Sequence, residues 1–544
     1  QVLCIRARCQ EVAQPETRPW VQRPEQTMAS TYTPLVVAEN EFGHVRSVGV
    51  IGAGVAGLQM ARACKEYGLE VTVFERAPNV GGLWRENYNG YGVQVPKQFY
   101  EFPDFPFQAV KFGDFPTGAQ TQQYIEDYAK HFDVLKFVKL KTSVKELKAR
   151  ADGKKGWTFV VQEEGGQERE EGFDFAVVCT GMYSAPKNMP TYEGGDKFDG
   201  KVIHSSEYLS QDLAKGKKVV VVGGCKSAID ITVDSSKVAA EPPVQVFRNG
   251  HWSTPRLIAG LIPFQYVFLS RLGQALVSWY KGVWPAGGSC CCVLFSWLLF
   301  PIMWVAFRLV ELIFAIQRCH FGRHWPSLDV VSDFYGFAHV LDTEWVSCRR
   351  SGKIVTLKDE IARLEPGKVV LASGKELPAE LVVCATGFKK TYDYLPKEAK
   401  ADLGPEPDGL YLYRHFLPAK VRDLSIAFCG CEVATISNIM THGLLAEYIC
   451  RVLKGLVQLP TEEQMRDECE VVKKWKRHWM PETSSRANLV LLHQIHYHDQ
   501  LLRDLGESPG RKCCFLSELF CPYGPSDYNG IIGTAKDKVV AAQP

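Results

Sequence analysis

Apolar residues run from Val48 into Gly52. They give way to a helical period with Leu58, Ala61 and Ala63 on one side, then return as a second apolar run, Val71 to Phe74. An apolar run without polar alternation predicts a strand buried on both faces, as in a parallel sheet. The same order recurs downstream: a strand over Lys218–Val222, a glycine turn, a helix, and a strand over Val244–Phe247. Further strands are predicted at Val144–Leu147, Trp157–Val161, Phe175–Cys179 and Val382–Phe388, with the polar stretch Glu163–Gly172 as a turn between hairpin arms. Gln122–Phe132 reads as a surface helix; Ile439–Leu453 reads as a helix whose N-terminus either points its dipole at a flavin ring or is simply capped by Ser437 or Asn438; Tyr91–Phe107 is too rich in aromatic residues and proline for one long helix.

The turns carry the chemistry. The first reads Gly52-Ala53-Gly54-Val55-Ala56-Gly57, and its second strand ends at Glu75. Gly52 suits the tight turn, Gly54 the approach of a pyrophosphate, and Gly57 close packing of helix on strand. The helix N-terminus faces the phosphates, and Glu75 accepts ribose hydroxyls. Gly81, Gly82, Leu83 and Trp84 follow, and let the chain pass over a flat cofactor unless they form a plain loop around a core tryptophan. The second turn reads Gly223-Gly224-Cys225-Lys226-Ser227-Ala228, with cysteine where a second glycine belongs. Its strand ends in Arg248 rather than an acid, which suits a ribose 2′-phosphate if the arginine is not simply solvated. Two such turns, one ended by an acid and one by an arginine, predict an α/β fold of two Rossmann-type domains that bind FAD and NADPH.

The expected organisation is a mobile extension over residues 1–43, a first FAD-binding part over 44–209 and an NADPH domain over 210–350. The chain then returns to the FAD domain over 351–460, at VVCATGF, and ends in a helical or irregular region over 461–544. Met28 is the first methionine; arginines before it suit a transit peptide, but Glu11, Glu16 and Glu25 count against one.

Residues 257–321 change the picture. No charge occurs from Gly282 to Phe307, a length sufficient for a membrane span. The stretch lies inside the NADPH domain, so crossings must come in pairs, and Pro263, Arg271 and Pro301 interrupt it. A helical hairpin lying in one leaflet is the expectation, with two spans, a buried insertion or a homo-oligomer interface as alternatives. Cys290–Cys292 are candidates for acylation. The net charge of +2 gives no electrostatic footprint for nucleic acid. The 18 cysteines form no CxxC pair, so neither a zinc site nor a dithiol reductase is expected, and reduced thiols suit a cytosol-facing protein. His493, His496 and His498 lack helpfully spaced partners and read as packing or surface residues; no metal is expected.

Phe198, Gly200, His204 and Tyr208 spell FxGxxxHxxxY. With GAGVAG, GGLW, EFPDFPF, the second turn and ATGF, this resembles the flavin-containing monooxygenases over roughly Val45–Gly455, with plant or algal character. The motif of the related Baeyer–Villiger enzymes usually ends in tryptophan, so Tyr208 counts against that alternative. The resemblance implies FAD on the first turn, Glu75, Gly82, Leu83, Trp84, Val95, Val144, Thr386, Gly387 and Asn438. It implies NADPH on Gly223, Lys226, Ser227, Ala228, Asp230 and Arg248, with His204 organising the seam between domains. It further implies NADPH reduction of FAD, reaction with dioxygen to a 4a-hydroperoxyflavin, and oxygen transfer to an amine nitrogen or thioether sulfur of a small molecule. An NADPH oxidase or reductase releasing hydrogen peroxide is the other alternative. Membrane-bound members suggest the endoplasmic reticulum. Many members carry asparagine near the flavin where this chain has Gln94, the expected catalytic residue.

Overall fold

The computed structural model describes residues 40–107, 113–183, 186–277, 290–319, 325–337, 339–341, 344–480 and 486–533, with only the backbone of 290–303 and 339–341. The extension up to residue 39, the loop around Ala286 and the side chains of Cys290–Cys292 therefore lie outside the described residues.

Two parallel five-stranded sheets form the frame. The first runs Ile426–Phe428, Phe175–Val178, Ser47–Ile51, Glu70–Phe74, Val138–Lys139. The second runs Val355–Lys358, Val244–Phe247, Val219–Val222, Leu381–Cys384, Lys201–His204. Both apolar units of the sequence become strand, turn, helix, strand, with helices at Val55–Glu66 and Lys226–Ser235. At the first turn Gly52 takes φ +102°, and a Cβ on Gly57 would lie 1.9 Å from the Gly52 carbonyl oxygen. Only glycine permits that approach of helix to strand.

The sheets correct the domain boundaries. Leu381–Cys384, expected to lead back into the FAD domain, pairs with Val219–Val222 on one side and Lys201–His204 on the other. Residues 201–204 and 355–384 thus belong with the second sheet, and the chain rejoins the first only at Ile426–Phe428, beside Phe175–Val178. An apolar strand reads alike in either sheet, because the pattern reports burial and not the partner. The stretch expected as a hairpin turn also differs: Glu168–Phe173 is a strand paired with Trp157–Glu163, whose partner on the other side is Thr142–Ala149. The expected surface helix spans Gly118–His131 and buries Tyr124, Ile125, Tyr128 and Ala129.

The apolar insertion is not a simple helical hairpin. It opens with a short antiparallel pair, Leu257–Ile258 with Ile262–Pro263, continues through helical turns Gln265–Phe268 and Arg271–Ala275, and ends in a helix, Cys290–Arg318. No helix among the described residues is long and apolar enough to cross a membrane. Arg271, which interrupted the apolar pattern, is half-buried and donates to Asp499 at 2.5 and 2.9 Å, to the Pro509 carbonyl at 2.7 Å and to Glu518. That network fastens the insertion to the C-terminal region.

Candidate active site

The carboxyl ends of strands from both sheets open onto one cavity of 1780 Å³. Ligands of open α/β sheets bind at this end, where loops diverge and helix N-termini point inward. From the second sheet come Gly223–Ser227, Phe247–His251 and Ala385–Asp393; from the first come Met182, Tyr183 and Ala434–Ile436. Leu83, Trp84, Gln94 and Val95 form part of the wall, the insertion contributes Phe264 and Phe268, and the following helix, Val330–Phe337, contributes Phe334 and Phe337. Val95, Phe264, Phe334 and Ala434 share one apolar cluster, so the insertion and the segment carrying Gln94 belong to one core.

The structure brings Leu83, Trp84, Gln94, Val95, Gly223, Lys226, Ser227, Arg248, Thr386, Gly387 and Asn438 to this cavity. Other expected contacts stand apart from it. Gly52–Gly57, Gly82, Glu75, Val144, Ala228 and Asp230 do not line it. The first turn is covered instead: the Gly81 amide donates to the Ala53 carbonyl at 2.9 Å and lays the Gly82–Trp84 turn across it. Glu75 is buried, with one carboxylate oxygen accepting from the Ala53 amide at 2.8 Å and the other from Ala77 at 2.9 Å. Val144 sits in the antiparallel sheet opposite Val161. Ala228 is fully buried beneath the second turn. Asp230 lies one helical turn from Lys226 and pairs with its ammonium, while accepting from the Tyr88 hydroxyl at 2.8 Å. Helical spacing put acid and cation on one face, and the cation took the acid.

The residues present fit two dinucleotides. Neither turn helix has a side-chain cap: Gly54 precedes one and Cys225 the other, which leaves the first amides of each helix available to phosphate. Arg248 is exposed on the cavity wall at the end of its strand, where a 2′-phosphate would stand. Burial pushes the Cys225 thiol up to about 12, so it stays neutral beside phosphate. At the start of the helix Asn438–Leu453, Asn438 Oδ1 accepts from the Thr435 amide at 3.0 Å, and Ser437 Oγ is buried without a partner among the described residues.

The motif residues hold the frame. His204 is fully buried; its Nε2 lies 2.8 Å from the Gly387 carbonyl, its Nδ1 2.9 Å from Ser206 Oγ, and its ring stands edge-on to Phe388. Burial pulls its pKa below the ordinary value, so the ring is neutral and ties the ATGF turn to the strand Lys201–His204. Phe198 and Gly200 pack on each other, and the buried Tyr208 offers its carbonyl to the Asn89 amide at 2.6 Å. Among the downstream histidines, His493 stacks on Tyr335, His496 lies 3.3 Å from the Gln274 carbonyl, and His498 lies 2.9 Å from Thr441 Oγ1. Sequence reasoning missed His251, whose hydrogen-bond partner is 82 positions away, and the phenylalanines of the insertion, whose apolar pattern pointed outward to lipid.

A family model described as flavin-binding monooxygenase-like matches residues 45–281 and 335–520, leaving out the whole of the insertion's long helix. A probable flavin-containing monooxygenase 1 of Arabidopsis thaliana is 29% identical over 92% of this chain and 98% of its own. A flavin-containing monooxygenase 3 of Macaca mulatta is 28% identical over 87% of this chain and 85% of its own. Among solved structures, an S-allyl-L-cysteine S-oxygenase from Allium sativum superposes with a TM-score of 0.57 at 20% identity, covering 91% of this chain and 97% of that one. A cyclohexanone monooxygenase from Rhodococcus superposes with a TM-score of 0.62 at 16% identity, covering 85% and 97%; at these identities both show the fold alone. The chain therefore belongs to the flavin-binding monooxygenase-like family, and is an NADPH-dependent flavoprotein oxidoreductase that uses FAD and NADPH.

Proposed function

We propose that the protein oxygenates soft nucleophiles, amine nitrogen or thioether sulfur, on small apolar molecules. The observation that carries this reading is the apolar wall beside the Gln94 segment, built by Phe264 and Phe268 of the insertion and by Phe334 and Phe337 of the helix after it. When bound, FAD supplies activation of dioxygen and NADPH supplies the reducing equivalents. The chain's part is to bind, orient and exclude water. Gln94 presents a carboxamide to the cavity, and Pro96 holds the backbone beside it extended. We place FAD along the covered first turn, with Trp84 and Val95 at the cavity end. NADPH lies across the second turn, with its 2′-phosphate on Arg248.

The same insertion is the proposed membrane contact. Leu257, Leu261, Ile262, Tyr266, Leu272 and Leu276 are exposed, as are Trp304, Val305, Leu309, Leu312 and Ile316 on the long helix. Phe515, Leu516 and Phe520 add to this surface from the C-terminal helix Phe515–Phe520, whose Glu518 binds Arg271. A face of this composition suits one leaflet of a bilayer, here that of the endoplasmic reticulum, and lets lipid-dissolved substrates reach the cavity wall.

The test of the chemistry reduces purified protein anaerobically with NADPH, readmits dioxygen, and counts product and hydrogen peroxide per NADPH. A thioether, a tertiary amine and a cyclic ketone serve as probes. Sulfoxide or N-oxide in near-stoichiometric yield is expected. Lactone alone would make the protein a Baeyer–Villiger enzyme, and peroxide alone an oxidase. For the surface, Leu261→Glu with Leu309→Glu is expected to abolish flotation with phospholipid vesicles. Unchanged flotation, or a dimer in sedimentation that the pair dissociates, would remove the membrane reading.

A further inference from the structure

His251 and Asp333 form a pair on the cavity wall that neither the sequence motifs nor the family residues account for. His251 Nδ1 lies 2.9 Å from Asp333 Oδ1, and Asp333 Oδ2 accepts from the Trp252 amide at 2.6 Å. Asp333 is buried, with both carboxylate oxygens used as acceptors, so Nδ1 carries the proton between the two groups. The ring is stacked on Phe337 with centroids 4.0 Å apart, which fixes its plane. Its far edge faces the second phosphate turn: a Cβ on Gly224 would lie 3.5 Å from His251 Cδ2, the atom bonded to Nε2. A carboxylate behind Nδ1 and a ring held between two walls is how proteins set a histidine to work through Nε2.

The turn lacks what such a ring supplies. Cys225 stands where a glycine would admit a pyrophosphate to the backbone, and Lys226, the cation of the turn, is taken by Asp230. Arg248 stands at the end of the strand, where it serves the ribose phosphate. We infer that His251, positioned by Asp333, binds the pyrophosphate of NADPH through Nε2. Asp333 holds the ring from the Nδ1 side, and Nε2 is the edge left for a phosphate oxygen. Among the charged groups that line pockets with His251, Arg349, which shares a small pocket with Gly224, and Arg248 on the cavity wall favour an anion. The inference rests on the placement of NADPH proposed above.

The experiment measures equilibrium binding to the FAD-loaded, oxidised enzyme, without turnover, by calorimetry. Three ligands are used: NADP⁺, NAD⁺ and adenosine 2′-monophosphate, the last having the 2′-phosphate but no pyrophosphate. His251→Ala is expected to weaken NADP⁺ and NAD⁺ alike by about 10-fold or more, while leaving adenosine 2′-monophosphate within about twofold. His251→Gln, which keeps an N–H donor, recovers most of the loss. Arg248→Ala gives the complementary pattern, weakening NADP⁺ and adenosine 2′-monophosphate and sparing NAD⁺. If His251→Ala weakens all three ligands equally, the ring merely holds its loop and the inference falls; it falls also if NADP⁺ is unchanged. Failure of the underlying placement looks different: wild type does not bind adenosine 2′-monophosphate, and Arg248→Ala changes nothing.

Discussion

The two phosphate turns share one backbone plan and differ in what lies over them. The first is roofed by the Gly82–Trp84 turn, its acid Glu75 is buried, and it stands outside the large cavity. The second faces the cavity, ends at an exposed Arg248 and carries a cysteine where the first has a glycine. A roof suits a cofactor that stays through many turnovers; an open wall suits one that must enter and leave. Glycine usage follows the same division. Helix and strand touch at Gly57, whereas Ala228 fills the matching place of the second turn, with its Cβ 3.2 Å from an ideal Cβ on Gly223.

The largest effect that tests this contrast is Gly57→Val. With even a Cβ 1.9 Å from a carbonyl oxygen, the variant is expected to lose about 4 kcal/mol or more and to yield no FAD-loaded protein. Flavin absorbance per protein would check it, and a normal flavin content would deny that the turn is so tightly closed.

Acid should open the first turn next. His442 lies against Gly430, which also touches Ala56 of that turn, and neither ring nitrogen has a partner among the described residues. Burial lowers His442 from 6.5 to about 4 and His498 to about 3. A base whose folded pKa is depressed contributes stability that is present above its unfolded value and is lost as pH falls through the folded one. Stability should therefore decline from pH 6.5 toward about 4, by up to roughly 3 kcal/mol for His442. Free-flavin fluorescence should rise over that window, and a flat profile would contradict neutral buried imidazoles.

Arg248→Ala belongs to the open turn. It is expected to weaken NADPH about 10- to 150-fold while sparing NADH, the range of a charge-assisted hydrogen bond. Equal losses for both cofactors would mean that the 2′-phosphate lies elsewhere. Gln94→Ala lies between the two turns. FAD content and anaerobic reduction by NADPH should hold, while hydrogen peroxide released per NADPH rises by about tenfold. An unchanged ratio would make Gln94 an ordinary wall residue. Smallest of all, Ala228→Gly should change the melting free energy by no more than about 1 kcal/mol, the ordinary cost of glycine in a helix.

Both turns, their strands and helices, and Arg248 at its strand end were legible in the sequence, because each rests on local spacing and apolar runs. What spacing does not carry is the partner. VVCATGF read as a return to the first sheet and lies in the second. Asp230 read as a cofactor contact, and its ion pair with Lys226 was not anticipated. His251 had no local signal, since Asp333 reaches it from beyond the insertion. Glu75 was identified, but its two backbone amides appear only once the strand, the turn and Ala77 come together.

The place of Leu381–Cys384 has a consequence for how the chain reaches this state. Among the described residues Lys201–His204 has no partner in its sheet except that strand, and Val219–Val222 lacks one neighbour without it. On the ribosome the two earlier strands emerge well before residue 381, and the greasy insertion emerges between. The second sheet is thus built around a gap, with open edges and an apolar segment exposed together, the combination most prone to misassembly. Closing it is a long-range event of the slow kind. A nascent chain stalled ahead of residue 381 should be captured by chaperones, and one stalled far enough beyond Cys384 to expose that strand should begin to resist protease.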